Sequence, residues 1–209
     1  MPYRIHSPGR ALALALTALS VSMAAPSPGL ASPAASAGRS TPPTALVLHV
    51  KDLPSSYKGF TEQGIPIDNI NEANGLRVNL ATVTKYSRIT GYETAIGNRD
   101  KKHPLSIQDE VSLFRSTAGA HSEYRQYSKA YPPMSRSKRL NMSGIGDEGY
   151  GYFLSGAAAS NLYTFSTAGV YFRRGVYDAR IYILGYTTVH PGDVLQLART
   201  LDGRLKHAR

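Results

Sequence analysis

Two stretches of alternating apolar and polar residues, 166–173 and 176–183, stand on either side of Arg174-Gly175. Successive side chains of a strand point to opposite faces, so each stretch predicts a strand with one apolar face. Glycine at the second central position of a tight turn supplies the positive φ that such turns require. The predicted register places Phe172 opposite Tyr177, Val170 opposite Ala179, Ala168 opposite Ile181, and Ser166 opposite Ile183. This pairing gathers the aliphatic side chains on one face, which another layer must cover.

A helical pattern precedes the hairpin. Ser106 predicts the N-cap, Asp109 and Glu110 suit the positive end of the helix dipole in the first turn, and Pro132-Pro133 closes the helix. One stripe of residues recurs every three to four positions: Ile107, Val111, Phe114, Ala118, His121, and Tyr124 or Arg125. This stripe predicts a central helix that packs against the aliphatic face of the hairpin.

The remaining patterns complete an α+β fold. After Pro191-Gly192, a stripe of Val194, Leu197, Ala198, Leu201 and Leu205 predicts a C-terminal helix. Residues 76–96 predict a strand or hairpin, 150–154 a short strand and 61–75 a loop, while 45–50 fit either a strand or a short helix. The expected architecture is a sandwich, in which an antiparallel sheet packs against the central and C-terminal helices.

The N-terminal stretch has the composition of an export signal. Arg4 and Arg10 precede the apolar run 11–19, and small residues and prolines follow. The run is too short for the roughly 20 residues that cross a bilayer. We therefore expect a secretory signal and processing region over residues 1–37, cleaved between about Ala24 and Gly38, a flexible tether over 38–44 and a single domain over 45–209. The expected location is extracellular.

The composition excludes several kinds of site. The chain has no cysteine, which rules out disulfides, thiolate metal sites and cysteine nucleophiles. Histidine spacings typical of metal sites, G-x-S-x-G elbows and nucleotide-binding glycine loops do not occur in the sequence. Asp147-Glu148 could act as an acid/base pair, bind calcium, or form a structural turn paired with Arg173 or Arg174. From the sequence we assign no catalytic, metal-binding or cofactor-binding residue, and no cofactor.

The chain is strongly basic, with a formal net charge of +10. We expect a possible anion-binding surface formed by two clusters that flank the central helix: Arg99, Lys101 and Lys102, and Arg136, Lys138 and Arg139. Such clusters attract polyanions, here an anionic envelope polymer or lipid head groups, and a protein partner also fits. The alternative is a solvated surface. Tyr124, Tyr127 and Tyr131 share a helical spacing that fits either a binding stripe or core packing.

Three short motifs suggest a relationship: Asp52-Leu53-Pro54, Gly144-Ile145-Gly146-Asp147-Glu148, and Phe172-Arg173-Arg174-Gly175. Together with the late leucine helix, they resemble a loose group of secreted or lipid-anchored bacterial proteins. That group is similar to the extracellular sensor domains of bacterial serine/threonine kinases. The resemblance implies an α+β sandwich and a non-enzymatic binding domain of the envelope or extracellular space.

Two functions therefore stand at this point. The first is a secreted, sensor-like binding domain with no specific affinity for nucleic acid. The second is a secreted hydrolase whose site is not evident from the sequence. A concave pocket that brings a base next to a nucleophile would favour the hydrolase.

Overall fold

The computed structural model describes residues 40–55, 57, 59–98, 105–131, 136–160, 163–185 and 189–208. The predicted leader, residues 1–37, lies outside these ranges. The strands are β1 (Phe60–Ile67), β2 (Arg88–Asn98), β3 (Leu105–Phe114), β4 (Lys138–Arg139), β5 (Glu148–Ser160), β6 (Tyr163–Arg174) and β7 (Tyr177–Gly185). The α-helices are α1 (Asn69–Leu76), α2 (Leu80–Lys85), α3 (Thr117–Ala130) and α4 (Pro191–His207).

The seven strands form one antiparallel sheet in the order β1-β2-β3-β7-β6-β5-β4. The central helix α3 and the C-terminal helix α4 pack against it, so the predicted α+β class is confirmed. The two faces of the sheet differ in chemistry. We call the face covered by α4 the aliphatic face and the face covered by α1 and α3 the polar face.

The aliphatic face carries the main core. One continuous cluster joins the sheet residues Ile107, Val111, Val170, Phe172 and Ile181 to the apolar stripe of α4, which consists of Val194, Leu197, Ala198, Leu201 and Leu205. The predicted C-terminal helix is therefore confirmed along its whole stripe. Because the stripe is wide and lies flat on the strands, burial of aliphatic side chains attaches this layer to the sheet.

The N-terminal segment of the described chain closes the edge of this core. Leu46, Val47 and Leu48 are buried between two 3-10 helices, Pro43–Ala45 and Val50–Asp52. Residues 46–49 form neither the strand nor the short helix predicted for 45–50, because the two 3-10 helices reach this stretch only at its ends, Ala45 and Val50. Within the predicted tether, Pro43 is buried and the Thr41 carbonyl accepts a hydrogen bond from the Tyr177 hydroxyl at 3.0 Å.

The β6–β7 hairpin has the predicted faces but another register. Phe172 lies opposite Ala179 and Arg174 opposite Tyr177, so Gly175 is the first central residue of a two-residue turn, with φ of 59°. The predicted pairing was wrong by two residues. An even shift leaves every side chain on its predicted face. The covering layer was also misassigned, because this aliphatic face packs on α4 and not on the helix predicted from Ser106.

The predicted start of the central helix was wrong. Residues from Leu105 to Phe114 form β3, which lies between β2 and β7, and the helix begins at Thr117 with Ser116 as its N-cap. The Ser116 hydroxyl accepts a hydrogen bond from the Gly119 backbone N–H at 3.1 Å. A strand that is covered on both faces has apolar residues at odd and even positions alike. A short apolar run of this kind also fits the helical period, which explains the wrong prediction.

The region before β2 also differs from prediction. Residues 61–75, predicted as a loop, contain most of β1 and α1, and the predicted strand from residue 76 starts only at Arg88. Asp68 and Asn79 cap α1 and α2 by accepting hydrogen bonds from the N–H groups of Asn71 and Thr82. These two capping residues are the signals in the sequence that could have predicted α1 and α2. The strand predicted at 150–154 is confirmed as part of β5.

Ile181 tests the aliphatic face. It is 1% exposed in the centre of the core, so Ile181→Asp should lower the free energy of unfolding by about 3 kcal/mol or more, because an unpaired charge enters an apolar layer. Ile89, at 46% exposed, offers the matched control, and Ile89→Asp should cost less than about 1 kcal/mol. Urea unfolding of both variants measures the difference. Equal losses would contradict the described core.

Candidate binding site

The polar face is built around Arg180 of β7. Its Nη2 contacts carboxylates from three other elements: Glu72 of α1, Glu110 of β3 at 3.2 Å and Glu123 of α3 at 3.5 Å. The guanidinium carbon also lies 4.6 Å from the ring centroid of Tyr127. Arg180 therefore ties two helices and a neighbouring strand to β7 through one cationic group.

Arg88 adds the second cation. It is fully buried, and its Nη2 lies 3.5 Å from Glu72 and 3.7 Å from Glu110. Its other nitrogens donate to the Ser112 hydroxyl, the Ile67 carbonyl and the side-chain oxygen of Asn69. Thr90 and the alternate residues after it lie on the aliphatic face. The bulge between Arg88 and Thr90 breaks this alternation, so the Arg88 side chain lies on the polar face.

We define the charge cluster as Arg88, Arg180, Glu72, Glu110, Glu123 and Asp178. It contains more acids than bases, and the acids respond differently. Burial opposes ionisation of Glu72, but Arg180 and Arg88 outweigh it and lower the Glu72 pKa. Burial raises the pKa of Glu110 to about 8. The negative charge of Glu72 contributes to this increase, and the positive charge of Arg180 opposes it. Burial likewise raises the pKa of Glu123 and of Asp178 well above their ordinary values.

Two of these acids have orphaned atoms. Neither carboxyl oxygen of Glu123 has a hydrogen-bond partner, and the side chain is 0% exposed. Asp178 accepts a hydrogen bond from the Tyr171 hydroxyl at 2.9 Å through one oxygen, while its other oxygen has no partner. A buried carboxyl group without partners is less costly when it is uncharged. The geometry therefore agrees with the direction of both pKa shifts.

A layer of tyrosines covers the cluster. Tyr124 stacks on Tyr171 with ring centroids 5.0 Å apart, Tyr127 lies 4.3 Å from Tyr171, and Tyr150 meets Tyr171 edge-on at 6.0 Å. Tyr124 and Tyr127 are half-buried, and their rings pack on Tyr171, which favours the packing interpretation over a free binding stripe. Tyr131 is 36% exposed, and its hydroxyl donates to the Gly75 carbonyl. Rings and cations together hold α3 on the sheet.

A cleft of about 270 Å³ opens beside this layer, between α3 and the β4–β5 edge. Its lining consists of Ser128, Ser137, Arg139, Tyr150 and Gly151. Tyr150 uses its hydroxyl proton to donate to the Tyr131 carbonyl at 3.0 Å, so its ring and its hydroxyl acceptor capacity remain for a ligand. Ser128 donates to the Tyr124 carbonyl at 2.8 Å and keeps acceptor capacity.

Arg139 also borders a second, shallower depression of about 490 Å³, lined by residues 139–143. Within the described residues, its guanidinium forms no ion pair or hydrogen bond, and its residue is exposed. The arginines 88, 173, 174, 180 and 204, in contrast, each contact a carboxylate. Arg139 is thus a cation available to a ligand at the mouth of the cleft.

The structure separates the basic residues that sequence reasoning grouped together. Lys138 lies opposite Phe153, and Arg139 lies opposite Tyr152, so the two neighbours point to opposite faces of the sheet. Arg139 shares the polar face with the cleft, whereas Lys138 lies on the other side. Arg136 is exposed in the turn before β4. Arg99, Lys101 and Lys102 lie outside the described residues.

The Asp147-Glu148 pair is structural. Asp147 accepts hydrogen bonds from Arg174 at 2.8 Å, Arg173 at 3.1 Å and the Gly175 N–H at 2.8 Å, while Glu148 accepts from Arg173 at 2.5 Å. The expected pairing with Arg173 and Arg174 is confirmed. These contacts join the loop before β5 to the β6–β7 turn, which accounts for the presence of both motifs in one chain.

The charge cluster was not anticipated from the sequence. Its evidence was present as charged residues at alternate strand positions, Asp178 and Arg180 in β7, next to aliphatic neighbours. By itself, that pattern predicts a strand with one polar side that faces solvent. Only the covering helices α1 and α3 make it a buried face, and their positions depend on contacts between distant parts of the chain.

The described fold is similar to the extracellular domain of PknH from Mycobacterium tuberculosis. The TM-score is 0.58 over 82% of this chain and 100% of that chain, at 8% sequence identity. The resemblance to the extracellular sensor domains of serine/threonine kinases is thus confirmed at the level of the fold. A scan against protein-family models finds no match, and a search of curated proteins finds no significant match.

The described ranges contain neither a membrane-spanning helix nor a cluster of metal-ligating side chains. None of their helices has both the length and the apolar character required to cross a membrane. Their histidine, aspartate and glutamate side chains form no group of three or more that could hold a metal ion.

The buried acids predict an unusual pH dependence of stability. On the aliphatic face, Asp109 is 0% exposed and accepts from the Leu48 N–H at 2.5 Å, and burial raises its pKa to about 7. An acid whose pKa rises on folding stabilises the fold fully below its unfolded pKa and loses that contribution as pH rises through its folded pKa. Together with Glu110, Asp109 should make the melting temperature fall between about pH 5 and pH 8.

Substitution separates the contributions. Asp109→Asn keeps an acceptor for the Leu48 N–H and should flatten part of this decline. Asp202 is the matched control. Burial opposes its ionisation, but Arg174 and Lys206 outweigh burial and lower its pKa, so its contribution to stability disappears only at acid pH. Asp202→Asn should lower the melting temperature without changing the slope above pH 5. Scanning calorimetry across the pH range measures both, and an unchanged slope in Asp109→Asn would contradict the assignment.

Proposed function

We propose that this protein is a secreted, sensor-like binding domain that recognises an anionic group in the cleft between α3 and the β4–β5 edge. The observation that carries the proposal is Arg139, which forms no ion pair with a carboxylate among the described residues and lines a cleft with an aromatic wall. The likeness of the fold to an extracellular domain supports a role outside the cytoplasm.

The lining indicates the ligand chemistry. An arginine fork matches the oxygens of a phosphate or carboxylate, and it can bind either in a bidentate manner. The Tyr150 ring offers an apolar surface to the group that carries the anion, and Ser128 offers an acceptor oxygen for a hydroxyl. A cleft of about 270 Å³ accommodates one such unit, for example a phosphodiester head group or a charged unit of an envelope polymer.

The opposite orientation of neighbouring residues on β4 supplies a matched test. Arg139→Glu reverses a charge in the cleft, while Lys138→Glu makes the same type of change on the other face of the sheet. Sedimentation with vesicles of phosphatidylglycerol and phosphatidylcholine, against pure phosphatidylcholine, should show binding of the parent that weakens as salt rises. Arg139→Glu should reduce the bound fraction at least about tenfold, and Lys138→Glu should change it less than about threefold.

Stability should be nearly unchanged in both variants, because both side chains are exposed. Equal losses in the two would indicate diffuse attraction by net charge and contradict the cleft. Absence of binding by the parent would reject the anionic vesicle as a ligand. The other predicted basic cluster consists of Arg99, Lys101 and Lys102. The double variant Lys101→Glu, Lys102→Glu tests it in the same assay.

Export is a separate part of the proposal. The basic N-terminus, the apolar run and the following small residues support removal of a leader between about Ala24 and Gly38. The intact mass of protein recovered from the culture medium should correspond to a chain that begins within this range. An extracellular product that retains residues 1–22 would overturn this part of the proposal.

A further inference from the structure

We propose that protonation of Glu123 controls the packing of α3, the helix that forms one side of the cleft. Uncharged Glu123 allows the helix to pack on the sheet, and loss of the Glu123 proton loosens the helix and weakens ligand binding. The inference rests on the proposed function only for its effect on the ligand. The movement of the helix is independent of it. The argument starts from how the two long helices are attached.

The attachments of α3 and α4 differ. Helix α4 buries six residues, of which five are apolar. Helix α3 buries only Gly119, Ala120 and Glu123. It also packs on the sheet through Tyr124 and Tyr127 against Tyr171, and on its exposed side His121 contacts Glu148. A helix with so small an aliphatic contact depends on the state of the one ionisable group that it buries.

Glu123 is surrounded by charged and titratable groups from every neighbouring element. They are Glu72 from α1, Arg88 from β2, Glu110 from β3, Asp178 and Arg180 from β7, Tyr171 from β6, and Tyr86 at the end of α2. The nearest cation is Arg180 at 3.5 Å, and it already contacts Glu72 and Glu110. A charge on Glu123 would add a further carboxylate to a guanidinium that others share.

The orphaned oxygens show what ionisation would require. Both oxygens of Glu123 lack hydrogen-bond donors, so its charge would be buried without solvation. Of the cluster's acids, Glu123 is the one carried by α3, so the resulting repulsion acts on that helix. Because α3 also supplies Ser128 to the cleft, displacement of the helix would change the cleft itself.

His121 on the same helix is the competing source of pH dependence. Its Nδ1 lies 2.6 Å from Glu148 on the exposed side of α3, and histidine commonly makes proteins respond near neutral pH. The variant His121→Gln removes this contact without altering the buried carboxyl group. Asp109→Asn removes a buried acid from the opposite face, so it reports on the stability of the whole domain and not on α3.

Hydrogen exchange of the protein without ligand tests the helix. At about pH 8.5, after correction for intrinsic rates, the α3 amides should exchange at least about tenfold faster than at about pH 5.5, while the α4 amides should stay within about threefold. Glu123→Gln keeps the shape of the neutral acid and should abolish the α3 response. His121→Gln and Asp109→Asn should retain it.

Three outcomes would overturn the inference. An α3 response that persists in Glu123→Gln would assign it to another group. Lower protection of α3 at both pH values in Glu123→Gln would make Glu123 a charged partner of Arg180. Parallel loss of protection in α3 and α4 would indicate global unfolding.

The ligand arm uses the phosphatidylglycerol vesicles at both pH values, since a phosphodiester stays charged over this range. The bound fraction of the parent should fall at least about fivefold from about pH 5.5 to about pH 8.5, and that of Glu123→Gln should not. An α3 response in exchange without Arg139-dependent vesicle binding would reject the proposed ligand and leave the movement of the helix established. Arg139-dependent binding that is equal at both pH values would overturn the link between them.

Discussion

Arg180 is the interaction on which the polar half of this structure depends. It lies in a central strand, where its charge must be compensated. Glu72 supplies the opposite charge, and Glu110 and Glu123 contact the same guanidinium from two further elements. Removing one partner from such a group leaves a buried charge exposed to an apolar environment, which is more costly than never having built the pair. The same cation therefore determines where α1 and α3 can lie and why tyrosine rings surround it.

The two faces of the sheet differ in what holds their covering helices in place. The aliphatic face is a continuous apolar core that α4 closes, and such a layer has few alternative arrangements of similar energy. The polar face holds α3 through rings, small residues and a carboxyl group whose pKa is raised by burial, so the stability of this layer depends on pH. A cleft that adjoins this second layer is placed where a ligand can alter the structure without opening the main core.

The motifs that suggested a relationship turn out to serve the fold. Gly146 has a positive φ of 70°, and an added Cβ there would come within 2.9 Å of the Arg173 carbonyl oxygen, so the close approach of loop and hairpin requires glycine. Asp147 then binds both arginines of the adjoining turn. The match to the PknH extracellular domain is a likeness of the whole fold, and in this chain the motif residues hold together a loop and a turn of that fold. The candidate site lies elsewhere, at residues that carry no motif.

The sequence by itself determined the periodic elements: both faces of the β6–β7 hairpin, the stripe of α4, and hence an antiparallel α+β fold with a basic surface. These follow from patterns within about twenty residues, and an even error in register could not disturb them. Tertiary structure decided the rest. Leu105–Phe114 became a strand because β2 and β7 flank it, although Ile107, Val111 and Phe114 also match a helix. Pairing with β5 sent Arg139 and Lys138 to opposite faces, and the packing of α1 and α3 buried the acids of the charge cluster. Each of these outcomes depends on groups far apart in the chain, whose burial and charge local patterns do not encode.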